Sequence, residues 1–135
     1  MGNKLLCPKC LTSNCDGGCD TPLTEGNVLP EDDESRGKYP MAEGCLDYFP
    51  NALAEVSRIS YEGNQKHNPG CKMHHNRSKS TDHRNKIIRH TVDSIPDTEA
   101  AIEHAAQAAW RSLAHLQEKI ERVRGVRMAP GAKPS

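Results

Sequence analysis

The most constraining feature of the sequence is a row of apolar residues near its C-terminal end. Ile102, Ala106, Ala109, Leu113, Leu116, Ile120 and Val123 recur at alternating intervals of four and three. On an α-helix that spacing places all seven along one seam, the pattern of a helix lying lengthwise against another helix. Beside the seam, Ala101, Ala105, Ala108 and Ser112 form a small-residue strip on which a second helix can lie close. Two such flanks exceed what a lone short domain needs. The expected fold is therefore all-α, a small bundle of three main helices completed by oligomerisation into a homodimer or tetramer. Ser94-Ile95-Pro96-Asp97 reads as the capping box that starts this helix.

Two further helices complete the expected bundle. Tyr48-Phe49-Pro50 marks a helix start, with proline in the first turn where its missing N–H costs little. Ala52, Leu53, Val56, Ile59 and Ser60 then share a face, and Gly63-Asn64 is expected to end the helix. A short helix over residues 82–92 would bury Ile87, Ile88 and Val92. The polar stretch between them, residues 63–81, reads as a long loop, and loops of that length in compact domains are commonly functional. Flanking this helical domain (residues 46–124) are an irregular Cys-rich arm and linker over 1–45, which holds the acidic run Glu31-Asp32-Asp33-Glu34, and a flexible tail over 125–135.

Composition narrows the function classes. Leu, Ile, Val and Phe total 21 of 135 residues, which permits only a small core and again favours completion by a second copy. Eighteen basic residues balance eighteen acidic ones, without the basic excess of a nucleic-acid binder. No apolar run approaches the length of a membrane span, and Met1-Gly2-Asn3-Lys4-Leu5-Leu6 is no signal-peptide core. The expectation is a cytoplasmic chain with no membrane and no nucleic-acid partner. In a reducing compartment its six cysteines read as metal ligands or bystanders, not as a disulfide framework.

Three groups of residues bear chemistry. Cys7, Cys10, Cys15 and Cys19 supply the four thiolates of a tetrahedral structural Zn2+ site, although only four residues separate the two pairs. A metal-free cysteine arm is the competing reading. The loop from His67 to His83 gathers four histidines, His83 included, and three cations, the chemistry of an anion-binding surface. A solvated polar loop, a zinc site from Cys71 with His74 or His75, and a His-Asn-His nuclease frame are its alternatives, the last without the strand pair it needs. The third group is acids and histidines on helices: Glu55 and Glu62, Asp82, Arg89 and His90, Asp97 and Glu99, and the row His104, Arg111, His115. Carboxylates lining a bundle are how helical proteins hold Mg2+; ordinary surface charge is the alternative.

Several segments together carry a more specific resemblance. They are Leu46-Asp47-Tyr48-Phe49-Pro50-Asn51-Ala52-Leu53-Ala54-Glu55-Val56, Gly63-Asn64-x-x-His67-Asn68-Pro69-Gly70, Arg77-x-Lys79-Ser80-Thr81-Asp82, Arg89-His90 and Ala109-Trp110-Arg111-x-Leu113-Ala114. In this order, over roughly residues 38–121, the chain resembles the dATP/dGTP diphosphohydrolase domain family, mainly phage proteins akin to the MazG-like all-α nucleoside triphosphate pyrophosphatases. The resemblance implies hydrolysis of a purine deoxynucleoside triphosphate to the monophosphate and pyrophosphate, with Mg2+ or Mn2+ held by helix carboxylates in an oligomer. Carried over residue by residue, it implies Glu55, Asp82 and Asp97 as metal ligands. His90 and His104 would be general-base or supporting groups, and His67, Asn68, Lys79 and Arg89 would contact nucleotide and phosphate. Trp110 fits the core better than a base-stacking platform. The chain departs from the MazG pattern of Glu-x-x-Glu at Arg58, three residues after Glu55; His75 stands where relatives carry Trp, and Asn85 where Asp is common. The competing function is a non-enzymatic phage module, a zinc-bound arm and helical pair that bind a host protein or nucleic acid.

Overall fold

The computed structural model describes residues 28–134. The fold is all-α. A single-turn helix α1 (Asp33–Arg36), capped by the Asp32 carboxylate accepting from Ser35 N at 2.9 Å, and a wide helical turn at Ala42–Leu46 lead into helix α2 (Pro50–His67). Part of the segment expected to be irregular is thus helical. Helix α2 starts where Pro50 predicts but runs through Gly63-Asn64 to His67. The reason lies in Asn64, whose buried side chain turns away from its own backbone. Its amide donates to Cys71 O at 3.2 Å and its carbonyl accepts from Asn68 Nδ2 at 3.1 Å and His74 N at 3.2 Å. Asn64 therefore organises the following loop without breaking the helix.

The loop contains a two-residue strand β1 (His75–Asn76), after which helix α3 (His83–Asp93) begins one residue later than expected. Asp82, just ahead of it, takes a left-handed backbone (φ 55°), and its carboxylate accepts from Asn85 Nδ2 at 2.8 Å. Helix α4 (Glu99–Arg124) is the axis of the molecule. Its cap is Thr98, which accepts from Ala101 N at 3.1 Å, and not the Ser94 box. Ser94 instead donates its hydroxyl to Thr91 O at 2.7 Å and closes α3, so the proline that follows separates two helices. Gly125 ends α4 at φ 62°, the left-handed position that glycine adopts without a Cβ clash.

Residues 125–135, expected to be a flexible tail, are tied down over much of their length. Strand β2 (Ala132–Lys133) pairs in parallel with β1, His75 opposite Ala132 and Asn76 opposite Lys133. His75 N donates to Gly131 O at 2.7 Å, Arg77 N donates to Lys133 O at 2.9 Å, and Ala129 N donates to the Glu121 carboxylate at 2.9 Å. Sequence periodicity misses this pairing because two residues per strand carry no pattern.

Helix α4 packs against both α2 and α3, and the buried apolar residues among those described are Ala101, Ala106 and Ala114. Alanines at the contacts let the helix backbones approach closely, as the small-residue strip predicts at Ala101. The larger seam residues are left outside: Ile102, Leu113, Leu116 and Val123 remain 50, 50, 54 and 77% exposed, and Ile88, Val92 and Ile95 are exposed as well. Ile88 and Val92 were expected in the core of α3. Among the described residues no helix covers them. No helix among the described residues is long and apolar enough to cross a membrane.

Candidate functional site

Helices α3 and α4 bring together the two histidines singled out from sequence. His90 and His104 face each other with Nδ1 atoms 3.1 Å apart and ring centres 5.3 Å apart. Most of the separation between the rings thus lies along the line joining the two nitrogens, which meet head-on. One Nδ1 must donate a proton and the other must be bare. Burial, then the charges of His104, Arg111 and Arg89, hold His90 below the ordinary imidazole range, so a neutral ring is favoured there. The pair therefore offers an imidazole nitrogen beside two arginines from two helices. Arg89 is exposed; Arg111 is half-buried, and burial lowers its pKa.

Two turns further along, a polar network fixes the loop against α4. Arg111 Nη1 donates to Thr81 O at 3.2 Å and lies 3.3 Å from His83 Nδ1. A guanidinium can only donate, so His83 Nδ1 accepts and its Nε2–H is left to donate to Glu118 at 2.7 Å. Trp110 Nε1 donates to Ser60 Oγ at 2.7 Å, and its ring meets the His75 ring edge-on at 4.8 Å. Trp110 is thus packed between α2 and the loop, as the core reading expects. His75 Nε2 is buried there with no hydrogen-bond partner. Burial foremost, and then the Arg77 charge, lower its pKa to about 4. Arg77 makes a two-pronged bridge to Glu121, at 2.8 and 3.1 Å, with both side chains largely buried.

Between α2 and α4 lies a groove of about 690 Å3 whose lining includes Glu55, Arg58, Glu99, Ile102 and Glu103. Arg58 is its centre. The guanidinium donates from Nε to Glu55 at 3.0 Å, from Nη2 to Glu103 at 2.5 Å, and from Nη1 to Glu62. The three carboxylates, Glu103 foremost, raise the arginine's pKa and keep it charged.

The proposed metal ligands fare differently from the histidines. Glu55 stands in this groove. Asp82 and Asp97 flank opposite ends of α3, whose eleven residues span about 16 Å. The three are not gathered into one group in a single chain. Among the described residues no three His, Cys, Asp or Glu side chains are grouped to hold a metal ion. This also applies to Cys71 with His74 and His75: His74 Nδ1 is 3.0 Å from Lys72 O, and His75 faces Trp110. The groove carboxylates are hard oxygen donors of the type Mg2+ takes, but the cation between them is Arg58, so they do not present an open position to a divalent ion. Cys7, Cys10, Cys15 and Cys19 lie outside the described residues.

Of the residues assigned to nucleotide contact, Asn68 is engaged by the loop itself. It is buried and donates to Asn64 Oδ1 at 3.1 Å and His74 O at 3.2 Å. Lys79 Nζ donates to the carbonyl of exposed His67 at 2.8 Å, leaving both side chains at the surface. Sequence reasoning missed Glu103 as the α4 partner of Arg58 and Glu118 as the partner of His83. The spacing of Glu55, Arg58 and Glu62 signals ion pairs along one helix face, but a partner 45 residues away leaves no local signal. Comparison with family models, with curated proteins and with solved structures finds no match.

Proposed function

We propose that the chain is a cytoplasmic nucleotide pyrophosphohydrolase of the nucleotide pool, cleaving dATP, dGTP or both to the monophosphate and pyrophosphate. The observation that carries this reading is the head-on His90–His104 pair beside Arg89 and Arg111. An imidazole kept neutral near pH 7 accepts a proton from water, and arginines stabilise the charge that builds on a phosphate under attack. In this reading His90 Nδ1–H donates to His104 Nδ1, water attacks the α-phosphorus and the bare His90 Nε2 takes its proton as the bond to pyrophosphate breaks. His104 holds the ring in register, and Arg89 and Arg111 face the phosphate oxygens. Exposed Lys79 extends the cationic edge towards the rest of the nucleotide, and exposed His67 adds a hydrogen-bonding ring beside it. The resemblance through Gly63-Asn64, Lys79-Ser80-Thr81-Asp82 and Arg89-His90 supports the same reaction class.

The bare seam of Ile102, Leu113, Leu116 and Val123 supports a homo-oligomer in which α4 meets α4 of a second copy. Incubating the full chain with each of the four deoxynucleoside triphosphates and Mg2+ or Mn2+, then separating the products, tests the activity. Monophosphate and pyrophosphate in equal amounts from a purine substrate are expected. No turnover of any of the four would overturn the reading and leave the zinc-arm interaction module as the better account.

A further inference from the structure

The acid groove between α2 and α4 already contains a cation, supplied by the chain. We propose that Arg58 is the permanent counter-charge of that groove. The free protein then holds no divalent ion between Glu55 and Glu103. On the pyrophosphohydrolase reading, on which this part rests, the Mg2+ or Mn2+ of the reaction would arrive on the triphosphate.

The geometry leaves little room for another arrangement. Each fork of the guanidinium faces a different carboxylate: Glu55 one turn before it, Glu62 one turn after it, and Glu103 across the groove. Arg58 thus bridges α2 and α4 at this level. A guanidinium cannot lose its proton near neutral pH, so its charge cannot be titrated away to admit a metal. Removing it would leave three carboxylates from two helices with Glu99 in the same groove, an all-oxygen set suited to Mg2+ or Mn2+. The side chains of Arg58, Glu55 and Glu103 are 37, 39 and 36% exposed, and ion pairs so open to water contribute little to folding. An uncharged replacement is therefore expected to fold.

Titration of the nucleotide-free, full-length chain with Mn2+, read by the loss of the free-ion electron paramagnetic resonance signal, tests the proposal. Mn2+ prefers oxygen donors, so thiols of the arm interfere little. Arg58→Gln is expected to bind one Mn2+ at least ten times more tightly than the wild type, and adding Glu103→Gln to that variant should abolish the gain. Arg58→Lys, which keeps a cation, should behave like the wild type. Two results would each overturn the proposal: wild-type Mn2+ binding weakened tenfold by Glu55→Gln or Glu103→Gln, or an Arg58→Gln chain of unchanged helix content that binds no tighter. If Arg58→Gln does not fold, the single Glu103→Gln variant decides, since unchanged Mn2+ binding is then the required result. None of these readings involves nucleotide turnover, so the two proposals fail separately.

Discussion

Replacing Glu121 by Gln isolates the contact that holds the C-terminal segment to the helices. The Glu121 carboxylate accepts two hydrogen bonds from Arg77, one from Gln117 at 3.0 Å and one from Ala129 N. Desolvation pulls its pKa up, but these donors together more than offset that and hold it below the ordinary carboxylate value. The Arg77 and Glu121 side chains are only 13 and 10% exposed, and Arg77 Nε is buried without a partner, so the guanidinium depends on this one acid. Removing one member of a largely buried pair leaves the other charge uncompensated, a cost of about 3–5 kcal/mol when burial is complete. With water reaching the rim, about 3 kcal/mol is expected, or a fall in Tm of very roughly 10–20 °C for a domain of this size. Urea unfolding followed at 222 nm, with amide exchange of residues 126–133, measures it. Replacing both partners, Arg77→Met with Glu121→Leu, should cost less than Glu121→Gln alone. A loss below about 1 kcal/mol with unchanged tail protection would refute the reasoning.

Stability should also fall with acid through His75. Its folded pKa of about 4 lies below the ordinary 6.5, so the unfolded chain binds a proton first. The contribution is complete above about pH 6.5, declines as pH drops towards 4 and levels off below; the half-buried ring makes this about 1–2 kcal/mol. The decline should vanish in His75→Phe, and an unchanged pH dependence in that variant would refute the assignment. At the seam, sedimentation should find the wild type as a dimer or larger, and Leu116→Glu should shift it to monomer because Leu116 is already half exposed and its loss costs the single chain little. A wild-type monomer at all concentrations would remove the seam's role.

Much of the fold was legible in residue spacing. The α4 seam, the proline start of α2 and the short α3 all follow from periodicity and local stereochemistry, since each is decided by neighbours within a few turns. The helix ends were less legible. Asn64 and Ser94 are ordinary breakers and caps by type, and only the loop and α3 that they serve reveal their roles. The candidate site divides in the same way. His90 and His104 could be matched because both lie where α3 and α4 run side by side. Asp82 and Asp97 shared a plausible chemistry with Glu55, but α3 stands between them. Asn68 is assigned to nucleotide contact by the resemblance alone, and no local pattern shows that its amide closes the loop on α2. The Arg58 cluster depends on a helix crossing 45 residues away in sequence, which no local rule reaches.

In the proposed reaction the His90–His104 pair delivers water to the α-phosphorus of a purine deoxynucleoside triphosphate. Hydrolysis in water enriched in oxygen-18, with the products separated by mass spectrometry, tests it most directly. The label should appear wholly in the monophosphate, and pyrophosphate should be released unlabelled. Label in the pyrophosphate would place the attack on the β-phosphorus, where the geometry claimed for His90 does not serve it, and would contradict the mechanism.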